Sequence, residues 1–441
     1  RLIVGTFSAA SNVTGALADV DAVTALLHRH GALACWDYAT AAPYVAIDMN
    51  PLVVGPDQPF VFKDAVFFSG HKFAGGPGTP GILVAKKRLL PTTSANGGAS
   101  PTAPGGGTVF FVTPADHRFL SNREEREEGG TPDVVGAVRL GLAVQLKQRA
   151  AAASHAAAAA TTAASGIAAA GNTAGGTLAS LAARGLAALR SHPNIVTGGK
   201  DCGRLPIFSF LIRGGGGGVG EGEGGNRFLH YNFVCALLND LFGVQARGGC
   251  QCAGPFGMAL LGLRWKEVRG FERALLRKHE LLRPGWVRLS LSPYHSPEEV
   301  DYILAAVVFV AARGATFLPQ YRADHKTGQW KHATRFTRFP ERRWLGRFDY
   351  GLNGGGGSDD RVVAGESAAV ALVADGEGER NEAAMFPRLL AEAEALAAEL
   401  VVAATTGKAK AAAARQSGPE DMLDEESERL RWFLYPWEAA A

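Results

Sequence analysis

The segment FFSGHKFAGGPGTPG, residues 67–81, places a lysine between an apolar, strand-like run and a loop of glycine and proline. Lys72 follows DAVFF closely and is flanked by Ser69 and His71. A partly neutral lysine amine attacks aldehydes, and glycine lets a backbone approach a flat ring. These residue types favour covalent chemistry with a carbonyl at Lys72; the alternative is an ordinary loop lysine.

A second candidate is the segment ARGGCQCAGP, residues 246–255. Cys252 stands on a glycine-rich loop where a thiolate is accessible, and Arg247 is close enough in sequence to stabilise it. Cys250 and Cys252 form a Cys-x-Cys pair, but no Cys or His partner with useful spacing accompanies them. The pattern therefore predicts a reactive thiol and no metal site, with a structural cysteine as the alternative.

The elements that must position these residues alternate between strands and helices. RLIVGTFS, ALACWDY, DAVFFSG and GILVAKK have the pattern of strands, and DVDAVTALLHRHG that of a helix closed by Gly31. This alternation predicts an α/β fold with a mostly parallel sheet. Ligands of such sheets bind at the carboxyl ends of the strands. Asn12, Asp37 and Lys72 all fall at such ends, which predicts one shared site.

Composition changes along the chain predict four parts: residues 1–150, an Ala-rich connector at 151–190, a smaller α/β domain at 191–312 with a Gly-rich insertion at 213–225, and an extension at 313–441. The insertion contains GxGxxG-like spacings, but its low complexity favours a flexible segment over a nucleotide loop. The extension begins with a basic, aromatic stretch at 313–347, which favours packing on the main body over nucleic-acid stacking.

Composition limits the classes of function. The chain has 441 residues, of which 47% are hydrophobic and 20% charged, with a net charge of +3. This small charge argues against a nucleic-acid partner, and no uninterrupted apolar run predicts a membrane span. Five cysteines in so long a chain do not resemble a disulfide framework and favour a reducing, intracellular compartment, either cytoplasm or organelle. Because the sequence opens at Arg1 inside a strand pattern, we expect an upstream segment to be missing.

Taken together, the motifs resemble those of the class V aminotransferase superfamily, the fold-type I pyridoxal-phosphate enzymes. The SGHK motif with GGPGTPG behind it carries the resemblance, which runs in the same order from about residue 1 to about residue 310. It implies a large α/β domain, incomplete here, followed by a smaller C-terminal α/β domain. It also implies pyridoxal 5′-phosphate as the cofactor, held as a Schiff base on Lys72.

The resemblance assigns roles to single residues around the cofactor ring. Asp37 corresponds to the aspartate that pairs with the pyridinium nitrogen and keeps the ring an electron sink. Asn12 matches an asparagine near the ring oxygen and the substrate carboxylate. Thr40 stands where the family usually has a glutamine near that oxygen, and this departure puts the tuning of the ring oxygen in doubt.

The phosphate group has its own set of matching residues. Ser69 and His71 resemble the phosphate-contacting residues beside the lysine. Thr131, in EEGGTPD, resembles the threonine that reaches the phosphate of the neighbouring subunit, which implies a homodimer with shared sites. A helix N-cap is the alternative role for Thr131.

Two further matches concern the substrate and the reaction. Arg288 corresponds to the arginine that binds the substrate carboxylate, for which its planar fork is suited. Arg247, Gly249 and Cys252 have the spacing found in cysteine desulfurases and selenocysteine lyases, where the cysteine takes sulfur from the substrate. The resemblance thus implies an enzyme acting on an amino acid, most like a cysteine desulfurase, with a sulfur-acceptor protein as a further partner. The alternatives are an aminotransferase or lyase without persulfide chemistry, and a truncated non-catalytic homologue that binds an acidic partner.

Overall fold

The computed structural model describes residues 1–90, 100–165, 173–214, 227–333, 377–405 and 423–438. It divides into two compact units: unit 1 is Arg1–Gly185, Gly199–Phe208 and Leu291–Tyr294, and unit 2 is Leu186–Gly198, Ser209–Ser290 and His295–Ala441. Most of the glycine insertion and residues 334–347 of the basic stretch lie outside the described residues.

Unit 1 is built on a four-stranded sheet of order β1-β2-β3-β4. The strands are β1 (Val4–Ser8), β2 (Leu33–Asp37), β3 (Ala65–Ser69) and β4 (Gly81–Ala85). β1 pairs parallel with β2, and β2 pairs parallel with β3. β4 returns antiparallel to β3, because the connection over residues 70–80 forms tight turns instead of the long crossover that a parallel strand needs. The predicted α/β fold with a mostly parallel sheet is confirmed.

Helix α1 (Val20–Arg29) connects the first two strands. The carboxylate of Asp19 accepts a hydrogen bond from the N–H of Ala22 at 3.1 Å and so caps its start. Gly31 follows the helix end with a φ of 69°, as predicted for a terminating glycine. The apolar core of unit 1 forms around Trp36, Val66 and Phe73, all buried.

The rest of unit 1 contains a short hairpin and its helices. The hairpin strands β5 (Val109–Val112) and β6 (His117–Phe119) were not evident from the sequence. Helix α2 (Arg123–Glu127) follows, and then the long predicted helix α3 (Val134–Ser165). Helix α4 (Thr173–Arg190) leads from unit 1 into unit 2.

Unit 2 is built on a second sheet of order β10-β11-β8-β7, with β9 paired to β8. β7 and β9 run antiparallel to β8, and β10 runs antiparallel to β11. The strands are β7 (Ile195–Thr197), β8 (Ile207–Arg213), β9 (Phe228–Leu229), β10 (Arg247–Gly249) and β11 (Trp286–Ser290). A separate hairpin pairs β12 (Tyr321–Ala323) with β13 (Trp330–His332).

Helices surround this sheet. They are α5 (Tyr231–Phe242), α6 (Gly254–Leu260), α7 (Trp265–Leu276), α8 (Pro297–Arg313), α9 (Glu377–Thr405) and α10 (Glu425–Glu428). Ser296 and Glu299 form a reciprocal capping box at the start of α8. The stretch Pro297–Gln320 meets the length and composition of a membrane span, but 56% of its apolar 18-residue window is buried in the protein, as in a core helix.

The C-terminal segment, residues 423–438, is part of the core of unit 2. The backbone of Phe228 exchanges hydrogen bonds with Trp432 and Leu434, each of 3.0 Å, so the segment extends the sheet edge at β9. Phe433 is completely buried, and its ring meets that of His230 edge-on at 5.1 Å. The segment therefore contributes to the hydrophobic core although it is distant in sequence.

Candidate functional site

In unit 1 the predicted cofactor residues gather at the carboxyl edge of the sheet. Asp37 ends β2 and Ser69 ends β3, and the two strands are adjacent and parallel, with Asp37 opposite Phe67. Asp37 is half-buried, and its Oδ1 accepts a hydrogen bond from the N–H of Ala39 at 2.7 Å. This keeps a carboxylate fixed at the edge where Lys72 follows β3.

Lys72 lies in the lysine turn, residues 69–76, which opens with one 3₁₀ turn over Gly70–Lys72. The N–H of Phe73 donates to the carbonyl of Gly70 at 3.1 Å, and that of Gly76 to the carbonyl of Phe73 at 2.9 Å. Phe73 is buried, whereas His71 and Lys72 are exposed. Within the described residues, Lys72 and His71 have no hydrogen-bond or ion-pair partner. The turn therefore presents an amine and an imidazole side by side to a ligand.

Glycine is required inside this turn. A Cβ at Gly70 would lie 2.5 Å from the hydroxyl of Thr79 and 2.7 Å from a methyl of Leu140. Gly75 and Gly78 adopt the left-handed backbone, with φ of 75° and 79°. The glycines that the sequence places behind the lysine therefore shape the turn itself.

Asn12 and Thr40 follow β1 and β2 at the same edge of the sheet, and both are half-buried. Asn12 lies in a turn in which Ser11 Oγ accepts hydrogen bonds of 3.2 Å from the N–H groups of Val13 and Thr14. Five of the predicted residues thus follow or end the three parallel strands at one edge: Asn12, Asp37, Thr40, Ser69 and Lys72.

Lys147 on α3 supports the segment that carries Thr40, and sequence reasoning missed it. Its Nζ donates to the carbonyls of Ala42 at 2.5 Å and Val45 at 2.6 Å, and it lies 5.6 Å from the ring centre of Phe73. Burial lowers the pKa of Lys147 to about 8. A lysine in an apolar helix pattern gives no sequence signal for such a role, because its partners are backbone carbonyls about one hundred residues earlier.

Thr131 is exposed and precedes α3. It follows Gly130, whose φ is 93°. The hydrogen bond that caps the start of α3 comes from another residue, since Asp133 Oδ1 accepts from the N–H of Gly136 at 2.8 Å. The helix N-cap alternative for Thr131 is thereby weakened, and its phosphate role stays a prediction.

In unit 2 the remaining predicted residues lie together. Arg247 on β10 is directly opposite Arg288 on β11. Cys252 belongs to the cysteine loop, residues 249–253, and its Sγ lies 3.0 Å from Nη2 of Arg247. Cys252 is exposed, and its thiol is free like those of the other four cysteines. The guanidinium therefore holds the exposed thiol by a direct polar contact.

The sequence did not reveal what holds the cysteine loop in place. Gln251 is buried, and its Nε2 lies within hydrogen-bond distance of the carbonyls of Arg247, Gly249 and Trp286.

As for the Cys-x-Cys pair, the described residues contain no group of three or more His, Cys, Asp or Glu side chains that could hold a metal ion.

Comparison with known proteins identifies relatives of this chain. Residues 3–187 match the model of the family described as aminotransferase class-V. A probable cysteine desulfurase of Vibrio cholerae is 26% identical over 300 residues, which are 67% of this chain and 55% of that protein. Another from Halalkalibacterium halodurans is 35% identical over 134 residues, which are 30% of this chain and 29% of that protein.

A solved structure is also similar to this chain. The cysteine desulfurase CsdA from Escherichia coli is 23% identical, with a TM-score of 0.46, over 69% of this chain and 58% of that chain. The chain spans about half the length of the curated relatives that it matches over about 300 residues.

Proposed function

Since residues 3–187 match the model of the aminotransferase class-V family, we propose that the protein is a pyridoxal-phosphate enzyme that removes sulfur from L-cysteine. The family supports the cofactor, and the names of the relatives support the reaction. The observation that carries the proposal is the 3.0 Å contact between Arg247 Nη2 and Cys252 Sγ. An accessible thiol in contact with a guanidinium suits the transfer of sulfur, whereas amino-group exchange needs no thiol.

The residues present in unit 1 fit the cofactor chemically. Lys72 supplies the amine for its aldehyde, Asp37 a carboxylate for the protonated ring nitrogen, and Ser69 with His71 donors for the phosphate. When bound, pyridoxal 5′-phosphate supplies an electron sink conjugated to the substrate Cα. Asn12 and Thr40 are the proposed neighbours of the ring oxygen, and Thr131 extends the phosphate site of a second subunit in the proposed homodimer.

The remaining steps belong to the side chains of this chain. Arg288 binds the substrate carboxylate with its planar fork. The Lys72 amine moves the proton of the substrate Cα as general base. The Cys252 thiolate then attacks the substrate Sγ: an S–S bond forms, the C–S bond breaks, and its electron pair is protonated to leave alanine. Cys252 keeps the sulfur as a persulfide, which a thiol reductant or a sulfur-acceptor protein removes.

Incubation of the 441-residue chain with pyridoxal 5′-phosphate, L-cysteine and dithiothreitol tests the proposal. We expect equal amounts of alanine and sulfide, a visible absorbance band, and a borohydride-fixed label on the peptide that contains Lys72. Lys72→Ala removes all three, and Lys87→Ala, an exposed lysine of the same unit, leaves them unchanged.

The alternatives give different results. Pyruvate or amine exchange without sulfide points to an aminotransferase or another lyase. A protein that stays colourless with added cofactor supports a non-catalytic homologue. The products and the absorbance spectrum thus separate the three functions in one experiment.

A further inference from the structure

Two adjacent residues of the cysteine loop face opposite ways. Gln251 is 1% exposed, whereas Cys252 next to it is exposed. Both residues have a φ of 59°, in the left-handed region that side-chain-bearing residues seldom adopt. Such a backbone is strained unless its surroundings hold it. Something in the loop must therefore stabilise this backbone.

The buried amide of Gln251 contacts the backbone around this loop. Its Nε2 lies 3.1 Å from the carbonyl of Arg247, 3.3 Å from that of Gly249 and 3.1 Å from that of Trp286. The first two acceptors belong to β10 and the third to β11, so one amide joins the loop to both strands. Because an amide nitrogen has two hydrogens, the three contacts share them.

The two strands joined in this way are those that carry the arginines. Arg247 provides one of the carbonyls with its backbone and reaches Cys252 Sγ with its guanidinium. Trp286 lies two residues before Arg288 on β11. The backbone before β11 also packs closely on the start of the cysteine loop, since a Cβ at Gly285 would lie 2.5 Å from the backbone of Gly249.

We infer that Gln251 is a positioning residue, whose buried amide holds the left-handed loop so that the Cys252 thiol stays against Arg247. The role in turnover rests on the proposed function, but the geometry of the thiol does not. Loss of the amide lets the loop relax and separates the thiol from the guanidinium, so that the thiol loses its fixed orientation.

Gln251→Met tests this inference, because methionine fills a similar volume without a donor. The readout is the rate at which iodoacetamide alkylates Cys252, relative to Cys202 in the same sample, followed by peptide mass mapping from pH 6 to 9. Cys202 is exposed and belongs to unit 1, so it serves as an internal reference. Gln329→Met, at an exposed glutamine of unit 2, is the matched control variant.

We expect the Cys252-to-Cys202 rate ratio at pH 7 to fall about 5- to 10-fold in Gln251→Met, because the thiol no longer keeps its place against Arg247. Sulfide release should fall with it, with KM for L-cysteine nearly unchanged. Gln329→Met should keep the ratio. Gln251→Asn retains the donor on a shorter side chain, and we expect an intermediate ratio. If Gln251→Met unfolds, the ratio measured in Gln251→Asn tests the inference instead.

An unchanged ratio in folded Gln251→Met or Gln251→Asn protein overturns the inference, even where the wild-type protein releases sulfide. A lowered ratio in a protein that releases no sulfide from L-cysteine supports the inference and overturns the proposed function instead. The two failures are thus distinguishable.

Discussion

In unit 1, Lys72 and His71 stand exposed on a turn that glycines shape, whereas in unit 2 Cys252 stands on a loop that a buried glutamine shapes. The described residues give Lys72 no polar partner, but they place Arg247 3.0 Å from the thiol. The lysine turn thus leaves its amine open to an external group. The cysteine loop instead brings a cation of the protein itself against its thiol.

The largest expected effect comes from removing the Cys252 thiol, which should affect sulfide release but not cofactor binding. Cys252→Ala should lose sulfide release by more than about 100-fold, because Cys252 is the sulfur acceptor of the proposed reaction. The visible absorbance band with added pyridoxal 5′-phosphate should persist, since the lysine turn is unchanged. Cys202→Ala is the control, and both spectra and sulfide assays are measured on the same samples. Loss of the band in Cys252→Ala contradicts the assignment of separate tasks to the two regions.

A smaller effect concerns the support of the cysteine region. Phe433 is fully buried in unit 2, so Phe433→Ala should lower the free energy of unfolding by about 3–5 kcal/mol. Urea denaturation with peptide-resolved hydrogen exchange measures the loss in unit 2. Phe111→Ala is the control, because that ring is 62% exposed and should cost little. An equal cost for both variants would show that the C-terminal segment is not part of the core.

The same core should respond to acid. Burial lowers the pKa of His230 to about 3 from its ordinary 6.5, although the contact of its Nε2 with the Leu281 carbonyl acts in the opposite direction. Below about pH 6.5, His230 is therefore protonated in the unfolded chain but stays neutral in the folded protein. The free energy of unfolding falls as the pH drops further.

At pH 5 this linkage amounts to about 2 kcal/mol relative to pH 7.5. Urea denaturation of wild type and His230→Asn at both pH values measures it, since asparagine can still cap α5 but does not titrate. The variant should be less stable at pH 7.5 and show a smaller acid-induced loss than wild type. His117→Asn, at an exposed histidine of unit 1, should lose as much as wild type. Equal losses in all three proteins contradict the prediction.

The last prediction concerns the fit of a glycine in the lysine turn. Gly70→Ala brings a methyl against Thr79 and Leu140 and should cost about 1–3 kcal/mol in unit 1. It should also weaken retention of the cofactor during dialysis, which the visible band reports. Gly106→Ala is the control, because no atom lies within 4 Å of the place that its methyl would occupy. A neutral Gly70→Ala would show that the turn is shaped by something other than the fit of its glycines.

The amino-acid sequence determined those features of the protein that depend on neighbouring residues. Alternating apolar runs and capped helices predicted the parallel strands of unit 1 and the positions of Asp37, Ser69 and Lys72 at their ends. The motifs also predicted a resemblance to the family whose model residues 3–187 match. These predictions succeed because period, capping and turn chemistry act over a few residues.

Only the tertiary structure decided features that join distant segments. The antiparallel return of β4, the pairing of Arg247 with Arg288 and the burial of Phe433 depend on contacts across the chain. Nothing in the sequence indicated that Gln251 is buried, because a polar residue in a glycine-rich loop is expected at the surface. Its role depends on the backbone carbonyls that surround its amide only after folding. A polar group that is removed from water must find its hydrogen-bond partners within the protein. A buried polar side chain such as that of Gln251 therefore fixes the backbone around it.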